Sequence, residues 1–262
     1  MKVARRAAFV VILVALWLGT VRADTHSVDV TLPAPATLTA ELSTPRGAGP
    51  FPAIILLHGC GGVGPHIKDW AVWLRHEGYA ALVLDSFGGR GLKRLCGGSA
   101  ALTGQMRAPD VYVAARYLKT LPQIDGKRIA AIGYSHGGWT LMWAAATEAQ
   151  YPDVDIRALI IFYPTCTGWK TLPGTTPVLM LLGGKDDWTP AAPCEILART
   201  RGRITAVVYR DAYHAFDSAG IIGRRTVSDA RGGLGATIEY NPKAHEDAEK
   251  QVRAFLAANL KR

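Results

Sequence analysis

The sequence predicts one α/β domain, a mostly parallel β-sheet with helices on both faces. Three observations point there. From residue 53 onward, short apolar runs alternate with segments of helical length and pattern. The runs are apolar throughout, as in strands covered on both faces of a parallel sheet. No linker or internal repeat interrupts the alternation after residue 52, so nothing divides the chain.

Residues 1–23 stand apart from this pattern. Met1 to Arg6 is basic, Ala7 to Gly19 is an apolar run of 13 residues, and Val21-Arg22-Ala23 places small side chains at the −3 and −1 positions. That is the layout of a cleaved secretory signal peptide. The run is shorter than the roughly 20 residues a membrane span needs. An uncleaved signal anchor is the alternative. The expectation is a mature domain of residues 24–262 in a periplasm or outside the cell.

The 262 residues are 49% hydrophobic and 19% charged, a globular composition that excludes collagen, coiled coil and a polytopic membrane protein. Four of the 30 Lys and Arg lie in residues 1–23, leaving 26 against 21 acidic residues, so +4 of the +9 charge belongs to the leader and +5 to the rest. The basic residues are scattered, with Arg224-Arg225 the densest pair. A nucleic-acid partner would require a cluster or stripe.

His26 to Leu42 alternates in β fashion around Pro33 and Pro35 and reads as two antiparallel strands. Ala53 to Leu57 is a buried strand, Ile67 to Glu77 a helix, and Ala80 to Leu84 a strand ending at Asp85. Ser86 to Gly104 is a long glycine-rich loop. Ala108 to Leu121 is a helix with Pro109 in its first turn. Arg128 to Gly133 is a strand and His136 to Ala149 a helix. Ala158 to Tyr163, Pro177 to Leu182 and Ile204 to Tyr209 are strands, with a helix at Pro193 to Thr200. Asp217 to Asn241 is irregular, and Pro242 to Asn259 is a closing helix capped by Asn241.

Chemistry concentrates just after the strands. Gly133-Tyr134-Ser135-His136-Gly137 fits G-x-S-x-G between a strand and a helix. A serine at so tight a turn is lifted above the sheet edge, and the glycines omit Cβ atoms that would clash. The helix that follows offers the N–H of His136 to a developing oxyanion. A glycine-rich turn with an incidental serine is the plainer explanation; the strand–turn–helix setting favours the nucleophile. A serine needs a base held by an acid. Gly183-Gly184-Lys185-Asp186-Asp187 follows one strand, and Asp211-Ala212-Tyr213-His214 follows the last. Ser135, Asp186, His214 is the Ser…Asp…His order of an α/β-hydrolase triad. His58-Gly59-Cys60-Gly61-Gly62 closes the first parallel strand and offers a second oxyanion donor, the N–H of Cys60.

Competing signals are weaker. Gly59-x-Gly61-x-x-Gly64, with Asp85 after the next strand, fits a dinucleotide fingerprint, but NAD is scarce outside the cell and would leave the later loops unexplained. His66, His76 and His245 fall in helices without ligand-type i+4 partners, and no pair has metal-ligand spacing, so no metal and no cofactor is expected. The tryptophans at 70, 73, 139 and 143 read as core; Trp139 and Trp188 lie near enough to the serine to line a pocket. Arg90 reads as a solvated rim arginine rather than an anion receptor.

Taken together, the chain resembles the dienelactone hydrolase family of the α/β-hydrolases. The resemblance rests on HGCGG at 58–62, DSFGGRG at 85–91, GYSHGG at 133–138, GGKDDWTP at 183–190, YRDAYHAFD at 209–217 and YNPKAHEDAEKQVRAFL at 240–256. It spans nearly all of residues 24–262 and implies an α/β-hydrolase fold. Carried over, Ser135 matches the nucleophile, Asp186 rather than Asp187 the acid, and His214 the base. The family's namesake enzymes carry a cysteine where this chain has Ser135. Four cysteines allow three pairings. The strand order implied by the resemblance sets the strands before Cys60 and Cys96 side by side, and likewise those before Cys166 and Cys194. It therefore implies Cys60–Cys96 and Cys166–Cys194 disulfides, with free buried thiols as the alternative.

The expected protein is a secreted serine hydrolase acting on a small-molecule carboxylic ester or lactone through an acyl-enzyme, with no nucleic-acid partner and no stable membrane anchor. A non-catalytic hydrolase-like binding protein and a peptidase or thioesterase are the alternatives. N-terminal sequencing of exported material should read Asp24-Thr25-His26. Membrane-bound protein that keeps Met1 would overturn the leader assignment.

Overall fold

The computed structural model describes residues 24–30, 36–98, 100–200 and 202–260. The expected signal peptide, residues 1–23, lies outside them. In chain order the elements are β1 (Asp24–Val30), β2 (Ala36–Ser43), β3 (Phe51–Leu57), α1 (Pro65–His76), β4 (Ala80–Asp85), α2 (Gly104–Arg107), α3 (Pro109–Lys119), β5 (Ile124–Tyr134) and α4 (His136–Thr147). There follow β6 (Ile156–Phe162), β7 (Val178–Gly183), α5 (Ala191–Ala198), β8 (Ile204–Tyr209), β9 (Arg225–Val227), α6 (Ala230–Gly233), β10 (Ala236–Ile238) and α7 (Pro242–Asn259).

One sheet of eight strands carries the domain, in the order β1-β2-β4-β3-β5-β6-β7-β8. From β4 to β8 every neighbouring pair is parallel, while β1–β2 and β2–β4 are antiparallel. The apolar runs become strands because both of their faces are covered. Alternate residues enter two separate cores. Ile55, Leu57 and Ile161 join α3, α4 and α5 on one face, while Ile54, Leu56 and Ile132 join α1 and α7 on the other. In α7 the residues Ala244, Ala248, Val252 and Leu256 are buried at a spacing of four, one stripe facing the sheet. Asn241 caps this helix by accepting from the N–H of Ala244 at 3.1 Å, with Pro242 in the first turn.

Three segments depart from the sequence reading. β5 opens at Ile124, four residues before the expected Arg128, because Ile124 pairs with Phe51 across a register shift. The loop after β4 contains a 3₁₀ turn, Gly88–Arg90, and ends in the short α2, whose N-cap Thr103 accepts from the N–H of Met106. The stretch expected to be irregular forms an antiparallel pair, β9 with β10, tied to the end of β8 by a bridge between His214 and Ile238. Among the described residues no helix is long and apolar enough to cross a membrane.

Two disulfides join segments that follow neighbouring strands, Cys60–Cys96 after β3 and β4 and Cys166–Cys194 after β6 and β7, the last cysteine standing in α5, with Cα separations of 4.9 and 5.1 Å. They close sequence separations of 36 and 28 residues. A loop of such length, closed in the unfolded chain, is worth about 3–4 kcal/mol. The double substitution Cys166→Ala/Cys194→Ala should therefore lower Tm by roughly 7–15 °C in a calorimetric scan. A shift of less than about 2 °C would mean that packing, not the covalent link, holds these segments.

Candidate active site

The carboxyl ends of the strands form one rim, and the polar residues gather there. β5 runs straight into α4, and the single residue between them, Ser135, takes φ 52° and ψ −112°. Glycine makes this turn possible. A Cβ on Gly133 would stand 2.4 Å from the Gly137 carbonyl oxygen, and one on Gly137 would stand 2.3 Å from the Leu57 carbonyl oxygen. The N–H of Ser135 donates to Phe162 O, and the N–H of Trp139 donates to Ser135 O, each at 2.9 Å. The side chain is thus raised off the sheet edge, half-buried, beside the start of a helix.

His214 lies beyond β8 and Asp186 beyond β7. His214 Nε2 is 3.0 Å from Ser135 Oγ, and His214 Nδ1 is 2.7 Å from Asp186 Oδ2. A carboxylate only accepts, so Nδ1 carries the proton and Nε2 presents its lone pair to the serine hydroxyl. The carboxylate is itself held: Oδ1 accepts from the N–H groups of Trp188 and Thr189, both at 2.8 Å, and Thr189 Oγ1 is 2.9 Å from Oδ2. Burial pushes the Asp186 carboxyl up, but the adjacent imidazole and these N–H donors bring it below the usual carboxylate range. The imidazole lies between the rings of Tyr163 and Trp188, with centroids at 4.5 and 4.8 Å. Ala215, the residue after His214, has φ 58°, and Tyr163, whose ring packs on the imidazole, has φ 36°. Asp187 points elsewhere, accepting from the N–H and the hydroxyl of Thr237 on β10 at 2.8 Å each.

Ser135, His136 and Cys60 line a cavity of about 350 Å³ together with Trp139, Trp188 and Arg231. The N–H of His136 is at the first position of α4 and has no acceptor within the helix. Cys60 is anchored from the other side, since its carbonyl accepts from the N–H of Leu95 at 2.8 Å. Arg231 is on the rim and was not singled out in the sequence. Arg90, by contrast, is not a rim residue. It forms a two-pronged ion pair with Asp110, fully buried in α3, at 2.7 and 2.9 Å, and donates to Ser86 O. His245 does have an acidic i+4 neighbour, Glu249 at 3.7 Å, contrary to the sequence reading; the pair is an ordinary helix contact.

Besides Asp110, two more buried charged groups escaped the sequence analysis. Arg107 is fully buried. Asp217 is also buried, accepting from Trp70 Nε1 at 2.8 Å and Tyr163 Oη at 2.6 Å. Asp217 stands in the HAFD stretch and braces the tyrosine that packs on His214. Nothing in the spacing of either residue distinguishes it from a solvated charge.

Three imidazoles around the rim are held neutral. Burial, then Arg107, pushes His58 well below its ordinary value. Burial lowers His66. Burial, then Arg107, lowers His136 to about 4. The unfolded chain binds protons on all three near pH 6.5 and the native chain does not, so stability is lost as pH falls through 6.5. Stability should fall with acidification between pH 6 and 5, each histidine that stays neutral in the native chain contributing up to about 1.4 kcal/mol per pH unit. Urea unfolding at a series of pH values checks this; stability that stays level on acidification over that range would contradict it.

The family model for the dienelactone hydrolase family matches residues 38–260. A Bradyrhizobium protein assigned as a 2-oxo-3-(5-oxofuran-2-ylidene)propanoate lactonase is 26% identical over 196 residues, 68% of this chain and 78% of that one. A Klebsiella pneumoniae structure assigned as a dienelactone hydrolase superposes with a TM-score of 0.66 at 21% identity, covering 89% of this chain and 99% of the other. Thermogutta terrifontis esterase 2, in a form phosphorylated by paraoxon, superposes with a TM-score of 0.62 at 18% identity, covering 92% and 96%. At such identities the structures establish the shared fold, and the family model establishes the rest: the chain belongs to the dienelactone hydrolase family and is a hydrolase of the carboxylic ester class.

Proposed function

We propose that the chain is an exported serine hydrolase that cleaves a small carboxylic ester or lactone. The observation that carries this reading is the hydrogen-bonded line from Ser135 Oγ through His214 to Asp186, opening on a cavity. Ser135 Oγ attacks the carbonyl carbon as its proton passes to His214 Nε2. The N–H groups of His136 and Cys60 receive the oxyanion. His214 then gives the proton to the leaving alkoxide, and Asp186 stabilises the imidazolium formed between those steps. Water repeats the sequence on the acyl-enzyme. The reaction needs no cofactor. The two disulfides support an oxidising compartment and thus export of residues 24–262. The lactonase assignment of the Bradyrhizobium relative supports keeping lactones beside esters.

Ser135→Ala should lower kcat at least about a thousandfold while leaving the fold intact, and His214→Ala should fall comparably, because the members act as a unit. A fluorophosphonate should label Ser135 alone, as the paraoxon adduct of the Thermogutta esterase encourages. Asp186→Asn should be far more damaging than Asp187→Asn, whose carboxylate is held by Thr237 of β10. The assay is a graded series of p-nitrophenyl esters run beside lactones, thioesters and peptides. Turnover by Ser135→Ala near the parent rate would end the nucleophile assignment. Faster cleavage of thioesters or peptides than of any ester or lactone would move the substrate class.

A further inference from the structure

Arg107 ends α2, at the foot of the long loop after β4, and has no surface exposure. Its guanidinium makes no hydrogen bond to a carboxylate among the described residues. Nη1 instead donates to His58 O at 2.8 Å and meets His136 Nδ1 at 3.2 Å. An arginine only donates, so His136 Nδ1 must be the acceptor there and its proton must sit on Nε2, which donates to Leu102 O at 3.0 Å. One nitrogen with two hydrogens therefore spans two segments: the β3 end that leads through Gly59 to Cys60, and the first residue of α4. Through His136 it also reaches the loop that carries Cys96, the disulfide partner of Cys60. Phe87 lies under the guanidinium with its centroid at 5.3 Å.

Nε and Nη2 of Arg107 have no hydrogen-bond partner among the described residues. A buried cation with no hydrogen-bonded carboxylate is costly, and a hydrophobic side chain of similar volume would fill the same place more cheaply. Fold stability does not account for the charge. Its position does, because both segments it grips supply the N–H groups assigned above to the oxyanion.

We infer that Arg107 is a positioning residue of the oxyanion hole, fixing the Cys60 and His136 N–H groups relative to each other and placing a permanent positive charge behind them. The inference rests on the serine-hydrolase reading. Burial lowers the guanidinium only to about 10, so it stays charged at neutral pH. The charge and the alignment matter once the carbonyl oxygen becomes an anion, and little while the substrate is a neutral ester.

The test is Arg107→Met, with kcat and KM measured on p-nitrophenyl acetate and inhibition measured with an aryl trifluoromethyl ketone, which forms an oxyanion on the serine. The expected result is a kcat about 10- to 100-fold lower, KM within about twofold, and inhibition weakened by the same factor as kcat/KM. Thermal stability should be retained or raised. His136→Leu keeps the backbone donor, removes the acceptor for Arg107, and should show the same pattern; it carries the test should the first variant not fold. Parent-like kcat in either folded variant, or a loss expressed only in KM, overturns the inference. Failure of the underlying reading would look different, as turnover retained in Ser135→Ala.

Discussion

The carboxyl edge of the sheet depends on a backbone forced out of the common regions at one residue, Ser135, with φ 52° and ψ −112°. Such a conformation costs roughly 1–3 kcal/mol and persists only where its surroundings over-determine it. Here three neighbouring strands and a helix do so. β6 supplies the Phe162 carbonyl that holds the Ser135 N–H. The end of β3 approaches so closely that only glycine fits at 137, and the start of α4 closes on β5 so tightly that only glycine fits at 133. The adjacency β3-β5-β6 in the sheet is therefore a requirement of the turn, and the apolar strands on either side of β5 are the clamp that keeps it bent.

Behind this turn the polar groups that leave water are each answered differently. Asp110 takes the full fork of Arg90. Asp217 takes two neutral donors, the indole of Trp70 and the hydroxyl of Tyr163, and no cation among its hydrogen bonds. Asp186 takes two backbone N–H groups and an imidazole. None of the three lines the cavity, and only Asp186 belongs to the hydrogen-bonded line that reaches it at Ser135. The first ties the loop after β4 to α3, and the second fixes Tyr163 against His214, so each buried carboxylate stiffens one wall of the same site. This follows from the fold, because both faces of the sheet are apolar and polar groups can collect only where strands end.

The catalytic candidates were legible because each stands within five residues of the end of an apolar run. A strand buried on both faces announces itself, and the residue after it is placed at the rim without further information. The same logic located the neighbouring cysteines once a strand order was assumed. Arg107 was not legible. It reads as one more charged residue ahead of Pro109, and its partners His58 and His136 are 49 and 29 positions away. Arg90 was misread for the same reason, since its partner Asp110 belongs to a helix whose buried face the local pattern does not show. The β9–β10 pair was missed because its short strands carry no apolar alternation; Arg225 and Thr226 are exposed, and the pair forms by backbone bonding and by the bridge to His214.

The presence of serine where the family's namesake enzymes have cysteine sets the electrostatic demand on the site. A thiol ionises near enough to neutrality to be poised as a thiolate beside an imidazole; a hydroxyl does not. In the proposed mechanism the Ser135 proton must therefore leave as the new bond forms, and the reaction creates a cation on His214 and an anion on the substrate oxygen in one step. Opposite charges are already built in to receive them. Asp186, a carboxylate kept ionised by its N–H donors, stands behind the imidazole. Arg107, a buried guanidinium, stands behind the two N–H groups assigned to the oxyanion. Each fixed charge has the sign opposite to the charge that the proposed mechanism creates on the group it supports, and neither has to reorganise when that charge forms. Water in the same place would have to turn its dipoles during the step, which is the cost that a preorganised site avoids. The desolvation cost of Asp186 and Arg107 is thus met at folding rather than at each turnover, which accounts for two buried charged groups behind a cavity lined in part by aromatic rings and a disulfide.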